Sequence, residues 1–214
     1  MASLTLQKAC ILEEVSSYYA RKISEHGPTP QGVDWNGLES QNLRFEQLLR
    51  CADVSRLFSL NDVGCGYGAL VDYLDQSCFD YTYHGYDVVA PMVAAANQIH
   101  AGNPRATFSV GSVPADRADY AIASGIFNVR QQRPDREWVN FILETIEVLN
   151  LSSIRGFSFN CLTSYSDEEK KRGYLYYADP CFLFDHCIRH FGRKVSLLHD
   201  YDLYEFTICV RKDP

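Results

Sequence analysis

The stretch Ser59–Leu74, SLNDVGCGYGALVDYL, constrains this chain more than any other. A run ending in Asp62 meets three glycines at alternate positions, 64, 66 and 68, and apolar residues then return at helical spacing. This order reads as a strand, a tight turn and a helix. Glycine lets the backbone adopt turns that a Cβ would oppose, and lets a ligand lie close to the main chain. The helix that follows presents unpaired N–H groups and partial positive charge at its start. The dinucleotide fingerprint is GxGxxG, and GxGxG lacks the spacing that makes room for a pyrophosphate.

From Val54 onward strand and helix patterns alternate. Strands are predicted at Leu57–Val63, Tyr81–Asp87, Ala106–Val110, Tyr120–Ile126, Arg155–Leu162, Lys194–His199 and Tyr204–Arg211. Helices are predicted from Ala69, over Pro91–His100, Glu137–Leu149 and Asp179–His190. Such alternation predicts an α/β, Rossmann-like, seven-stranded and mostly parallel sheet with helices on both faces. The last two strands are joined only by Asp200–Leu203. That is too short for a parallel crossover, so the sheet ends in an antiparallel C-terminal hairpin strand. Residues 1–53 hold two further helices, Leu6–Glu25 and Leu38–Cys51, around the loop HGPTPQGVDWNG. They carry too few large apolar groups to fold alone. They are expected to form an N-terminal helical extension, a lid over a ligand site in a 54–214 domain.

Charge and cysteine usage narrow the function. The net charge of −7 is not the footprint of a protein that grips nucleic-acid phosphates. No run approaches the ~18–20 apolar residues of a membrane span, and no basic-then-apolar leader opens the sequence. The eight cysteines include no CxxC pair and mostly sit in apolar segments, which suits reduced thiols in a cytoplasmic protein and no metal site.

A ligand of an open α/β sheet sits at the carboxyl ends of its central strands. The first strand delivers Asp62 and the glycine turn there. A second acid, Asp87, ends the next strand, 21 residues after Gly66. A carboxylate there suits a ribose diol, because it accepts two hydrogen bonds at once.

DVGCGYG (62–68), GYDVVAPMV (85–93), VGSVP (110–114), DYAIASGIFN (119–128) and the closing hairpin together resemble the class I S-adenosylmethionine-dependent methyltransferase family. The resemblance covers most of residues 54–211. It implies S-adenosyl-L-methionine as cofactor. Asp62 would accept from the cofactor's amino group, and the backbone of Gly64, Cys65, Gly66 and Gly68 would pass its methionine part. Asp87 would hold the ribose, Val88 and Met92 would sandwich the adenine, and Ser112 and Val113 would meet its edge. The family often has an acid where Ser112 stands. Ser124 to Phe127 would border the transferable methyl, with Phe127, Asn128 and Tyr165 toward the acceptor. After the fourth strand the chain reads GIFN and lacks the NPPY-like tetrad of amino-group methylation on adenine or glutamine.

The segment 18–48 is similar to the N-terminal part of a group of bacterial methyltransferases of unassigned substrate. Trp35 is expected to wall the sulfonium through a cation–π contact. Arg44 is expected to meet the cofactor carboxylate, since the first motif offers no cation. No residue stands out as a general base: His26, His84, His186, His190 and His199 are scattered. The expected acceptor is a small molecule, and a monomer and a homodimer are both open. A binding module without turnover and a nicotinamide-dependent oxidoreductase are the alternatives.

Overall fold

The computed structural model describes residues 2–213, with side chains from Gln7 onward. Helix α1 (Ala2–His26) leads through a 3-10 turn at Pro30–Val33 to α2 (Leu38–Leu49). There follow β1 (Phe58–Val63), α3 (Ala69–Gln76), β2 (Tyr81–Asp87), α4 (Ala90–Ile99), β3 (Ala106–Val110) and β4 (Ala118–Ala123). The chain closes with α5 (Asp135–Leu151), β5 (Ser153–Leu162), α6 (Pro180–Phe191), β6 (Val195–Leu198) and β7 (Glu205–Arg211). The seven strands form one sheet in the order β3-β2-β1-β4-β5-β7-β6. Strands β1 to β5 pair in parallel, and β7 runs antiparallel between β5 and β6, as the short final connection requires.

Local chemistry explains the main elements. In α5 the residues Trp138, Phe141, Ile142, Thr145, Ile146 and Leu149 recur at helical spacing, and all six are buried. Helix α6 starts where the Asp179 carboxylate accepts from the N–H groups of Cys181 and Phe182, with Pro180 in its first turn. The central strands β1 and β4 are buried almost throughout, as strands covered on both faces must be. Five of the eight cysteines (51, 65, 161, 187 and 209) are buried thiols.

One boundary differs from the sequence expectation in a way that matters. Strand β4 stops at Ala123, three residues early. Gly125 takes a φ of 73°, so Ser124–Ile126 turns out of the sheet at the mouth of the strands. The reversal of strand order falls between β1 and β4, where α/β sheets open a crevice.

The extension packs on the domain in two halves. Ile11, with Leu12 and Val15 beside it, joins the core of α5 and β5. Tyr19 and Ile23 join Tyr67, Val89 and Met92 near α4. Helix α1 therefore crosses the carboxyl edge of the sheet from the α5 side to the α4 side.

Candidate active site

Parallel registers align the strand ends. Val63 lies beside Tyr86, and Asp87 beside Val110. The N–H groups of Gly64 and Cys65 both donate to the Tyr86 carbonyl, at 2.7 and 3.1 Å. The turn that follows uses left-handed glycines: φ is 83° at Gly64, 56° at Gly66 and 86° at Gly68. A Cβ on Gly64 would stand 2.1 Å from Ile126 Cγ2, so this turn and the β4 turn close on each other. The Asp87 carboxylate locks the turn from the side, accepting from Gly66 N–H at 2.9 Å and Val89 N–H at 2.8 Å. Each oxygen keeps a lone pair beyond these bonds.

Asp62 is different. Its Oδ2 accepts from the Tyr83 hydroxyl at 2.7 Å, whereas its Oδ1 is buried with no partner. Burial, only partly countered by the Tyr83 hydrogen bond, pushes its carboxyl up to about 7. Burial also raises the Asp87 pKa, opposed by the N–H groups of Val89, Gly66 and Val88. Both acids line one cavity of about 1020 Å³, its open mouth included. Gly64, Cys65, Gly66, Val88, Met92, Ser112, Ser124 and Trp35 line it too. The Ser124 hydroxyl is a second buried polar group without a partner.

The N-terminal extension supplies one wall. Tyr19, Val33, Trp35, Gln41 and Phe45 all face the cavity. Trp35 lies over Gly125, where a Cβ would meet the indole Cζ2 at 2.1 Å. The Arg44 guanidinium stacks on the same indole, 3.8 Å from the Trp35 ring centroid.

Several expected residues sit elsewhere. Arg44 is not free for a ligand carboxylate: its Nε and Nη2 grip the buried Glu205 carboxylate at 2.6–3.0 Å. Glu205 in turn accepts from Asn160 Nδ2 at 2.7 Å, and Asn160 Oδ1 accepts from Gly125 N–H at 2.7 Å. Arg44 thus acts on the site through β5, β7 and the β4 turn. Gly68 starts α3 behind the cavity wall, where a Cβ would crowd His100 and Phe108. Val113 is 58% exposed and off the lining. Phe127 is wholly buried between Phe141 and Phe159, and its carbonyl accepts from Trp138 Nε1. Asn128 ties the chain to β5, its Oδ1 accepting from Leu162 N–H at 3.1 Å. Tyr165 is exposed and packs edge-on against His199. The sequence reading missed Tyr83, Tyr19, Val33 and the α1–α5 wall described below. Its one available signal was the stripe Leu12, Val15, Tyr19 on a helix that was expected to cover the site.

Comparison with known proteins fixes the family. A methyltransferase-domain family model matches residues 61–129, from the end of β1 to just beyond the β4 turn. The protein named "Putative methyltransferase Rv1506c", from Mycobacterium tuberculosis (strain ATCC 25618 / H37Rv), is 54% identical over 164 residues, 77% of this chain and 99% of that one. This chain belongs to the methyltransferase family. The methyltransferase also shares its fold with solved structures. One is titled "DhpI-SAM-HEP complex", with a TM-score of 0.65 at 16% identity over 93% of this chain and 97% of that one. Another is magnesium protoporphyrin IX methyltransferase (ChlM) from Synechocystis PCC 6803 with bound SAH, with a TM-score of 0.59 at 14% identity over 82% and 83%.

The fold is that of class I S-adenosylmethionine-dependent methyltransferases, and those two solved structures hold S-adenosylmethionine or its demethylated product, S-adenosylhomocysteine. The site of the methyltransferase fits S-adenosylmethionine. An orphaned carboxylate oxygen suits an ammonium, a two-acceptor carboxylate suits a diol, and a glycine turn leaves its backbone open to close approach. Among the described residues no group of three or more metal-ligating side chains is brought together, and no helix is long and apolar enough to cross a membrane.

Proposed function

We propose that this methyltransferase moves the methyl group to a small organic acceptor by in-line displacement. The observation that carries the reading is Asp62 Oδ1, buried and unpartnered in the cavity that Asp87 also faces. When bound, S-adenosylmethionine supplies an electrophilic methyl carbon: an acceptor lone pair forms the new bond while the carbon–sulfur pair returns to sulfur.

The chain's own residues bind, orient and exclude water. Asp62 holds the cofactor ammonium and Asp87 the ribose hydroxyls. Val88, Met92 and Tyr19 flank the adenine, and Ser112 meets its edge. Gln41 takes the carboxylate role that Arg44 cannot, because its Oε1 is held by the Tyr67 hydroxyl at 3.2 Å and its amide N–H groups remain. Ser124 and Trp35 border the reacting carbon. The described lining contains no His or Glu. Holding two reactants in line supplies rate here, because the methyl donor is already activated. Residues 1–53 serve as a lid, since they wall the cavity and a closed site keeps water from the reaction.

Calorimetry with S-adenosylmethionine and S-adenosylhomocysteine tests this directly. Both bind the wild type. Asp87→Ala weakens them by ~1.5–3 kcal/mol, the scale of hydrogen bonds to a charged group. Unchanged affinity in that variant would remove Asp87 from the ribose, and binding of NAD alone would overturn the whole assignment.

A further inference from the structure

The cavity continues past the groups that suit the cofactor. Lys8, Leu12, Val15 and Tyr19 on α1 all line it, and their spacing of four, three and four places them on one helix face. Tyr19 marks one end, packed with Met92 and Val88. At 1.5 Å per residue, Lys8 lies about 16 Å further along that stripe. Between them the opposite wall is Phe141 and Thr145, one turn apart on α5, with Ile126 from the β4 turn. The Thr145 hydroxyl donates to the Phe141 carbonyl at 2.8 Å, so toward the cavity it offers only lone pairs. This half is an apolar slot that ends on an ammonium.

That ammonium is poorly matched by the protein. Lys8 is the one Lys or Arg among the described lining residues, and neither carboxylate of the lining, Asp62 or Asp87, pairs with it. Its nearest acid is Glu144 on α5, at 3.9 Å and 37% exposed. A loose, half-solvated ion pair of this kind holds the side chain weakly and is readily exchanged for a better-placed anion.

We infer that the acceptor is an organic acid with a compact aliphatic or aromatic body: the body fills the slot between α1 and α5, and its anionic group is anchored on Lys8. The inference rests on the methyltransferase reading of the other half of the cavity. It assigns Lys8 to substrate selection and leaves cofactor binding to Asp62, Asp87 and Gln41.

The test uses the full chain saturated with S-adenosylhomocysteine, titrated with cinnamate and octanoate and with their uncharged amides, followed by ligand-observed NMR. Wild type should prefer at least one acid over its amide by about tenfold or more, the range for a hydrogen bond to a charged group. Lys8→Gln should erase that preference and Lys8→Arg should retain most of it. S-adenosylhomocysteine affinity, by calorimetry, should stay within about twofold in both variants. Equal binding of acid and amide, no binding of either acid, or a preference that survives Lys8→Gln would overturn the proposal. So would a tenfold loss of S-adenosylhomocysteine affinity in Lys8→Gln, which would instead place Lys8 on the cofactor carboxylate. Failure of the wild type to bind S-adenosylhomocysteine at all would strike the cofactor reading, so the two failures are separable.

Discussion

Asp62 concentrates the conflict between folding and function. Its carboxyl is raised to about 7 because burial strips it of water and Tyr83 satisfies only one oxygen. The unfolded chain would titrate it near ~4. Between those two values the folded state holds the extra proton, so stability contributed by this group is present below ~4 and is lost as pH rises through about 7. Asp62→Asn removes that dependence and should raise the melting temperature of the ligand-free protein at pH 8, which differential scanning calorimetry would show. The same variant should lose cofactor affinity, because an amide cannot serve as counter-charge to an ammonium. In the wild type a cationic amine needs the ionised form, so the dissociation constant for S-adenosylhomocysteine should climb up to ~tenfold per pH unit below about 7. A flat profile from pH 5.5 to 8 would detach Asp62 from the amine. At this scale the sequence was informative where the signal was local. Asp62, the glycine turn and Asp87 lie within 26 residues and sit at strand ends that alternation alone locates. Tyr83 was not legible, since a tyrosine in a strand is ordinary until the parallel pairing sets it opposite Leu60, from where its hydroxyl reaches Asp62 two residues on.

Among elements, the β4 turn is where the most distant parts of the chain meet. Trp35 from the extension covers Gly125, Arg44 of α2 stacks on Trp35, and Glu205 of β7 joins Arg44 to Asn160 of β5 and so back to Gly125. The expectation for Arg44 failed for a physical reason: its partner is 161 residues away, and only the insertion of β7 beside β5 brings them together. A guanidinium visible in the sequence does not reveal which acid is buried with it. Glu205→Ala would leave that cation buried and unpaired, at a cost of about 3–5 kcal/mol. For a chain of this size that is a fall of ~6–20 °C in melting temperature. Arg44→Met combined with Glu205→Leu should recover much of the loss, because replacing a buried ion pair by apolar groups is often neutral. Gly125→Ala acts at the other end of the chain of contacts. Its Cβ would collide with the indole in a backbone conformation that disfavours alanine. Displacing Trp35 should reduce methyl transfer, measured as S-adenosylhomocysteine release with any accepted substrate, more than it reduces cofactor affinity. A proportional loss of both would mean that Trp35 contacts the cofactor alone.

For the molecule as a whole, the question is how a ligand enters a cavity that the chain's own first helix spans. The two halves of α1 are held differently. Ile11 is built into the core of α5 and β5 and anchors the Lys8 end. The other end rests on Tyr19 and Ile23, on a Ser16 hydroxyl donating to the Val88 carbonyl at 3.3 Å, and on Asp34, which pairs with Lys22 at 2.6 Å and accepts from Tyr18. Ion pairs this exposed contribute ~0–1 kcal/mol each. We propose that the Tyr19–Trp35 end opens while the Ile11 half of α1 stays in place, which uncovers the Asp62 and Asp87 side first. The alternation of strands and helices in the sequence foretold the sheet, its hairpin and the position of the glycine turn, because each depends on patterns a few residues long. It could not foretell that α1 bridges α5 and α4, since a single apolar stripe does not say which two helices it will touch. This asymmetry predicts a definite pattern of amide exchange. Saturating S-adenosylhomocysteine should slow exchange in residues 18–37 strongly, because a ligand at 100 times its dissociation constant stabilises the closed form by about 2.7 kcal/mol. Exchange around Ile11 should change little, since that half is already held by the core. Asp34→Ala should speed exchange of residues 18–37 in the ligand-free protein while leaving the Ile11 region unaffected. Uniform slowing along all of α1 would show instead that the helix opens as one piece, and that cofactor and acceptor enter through the same movement.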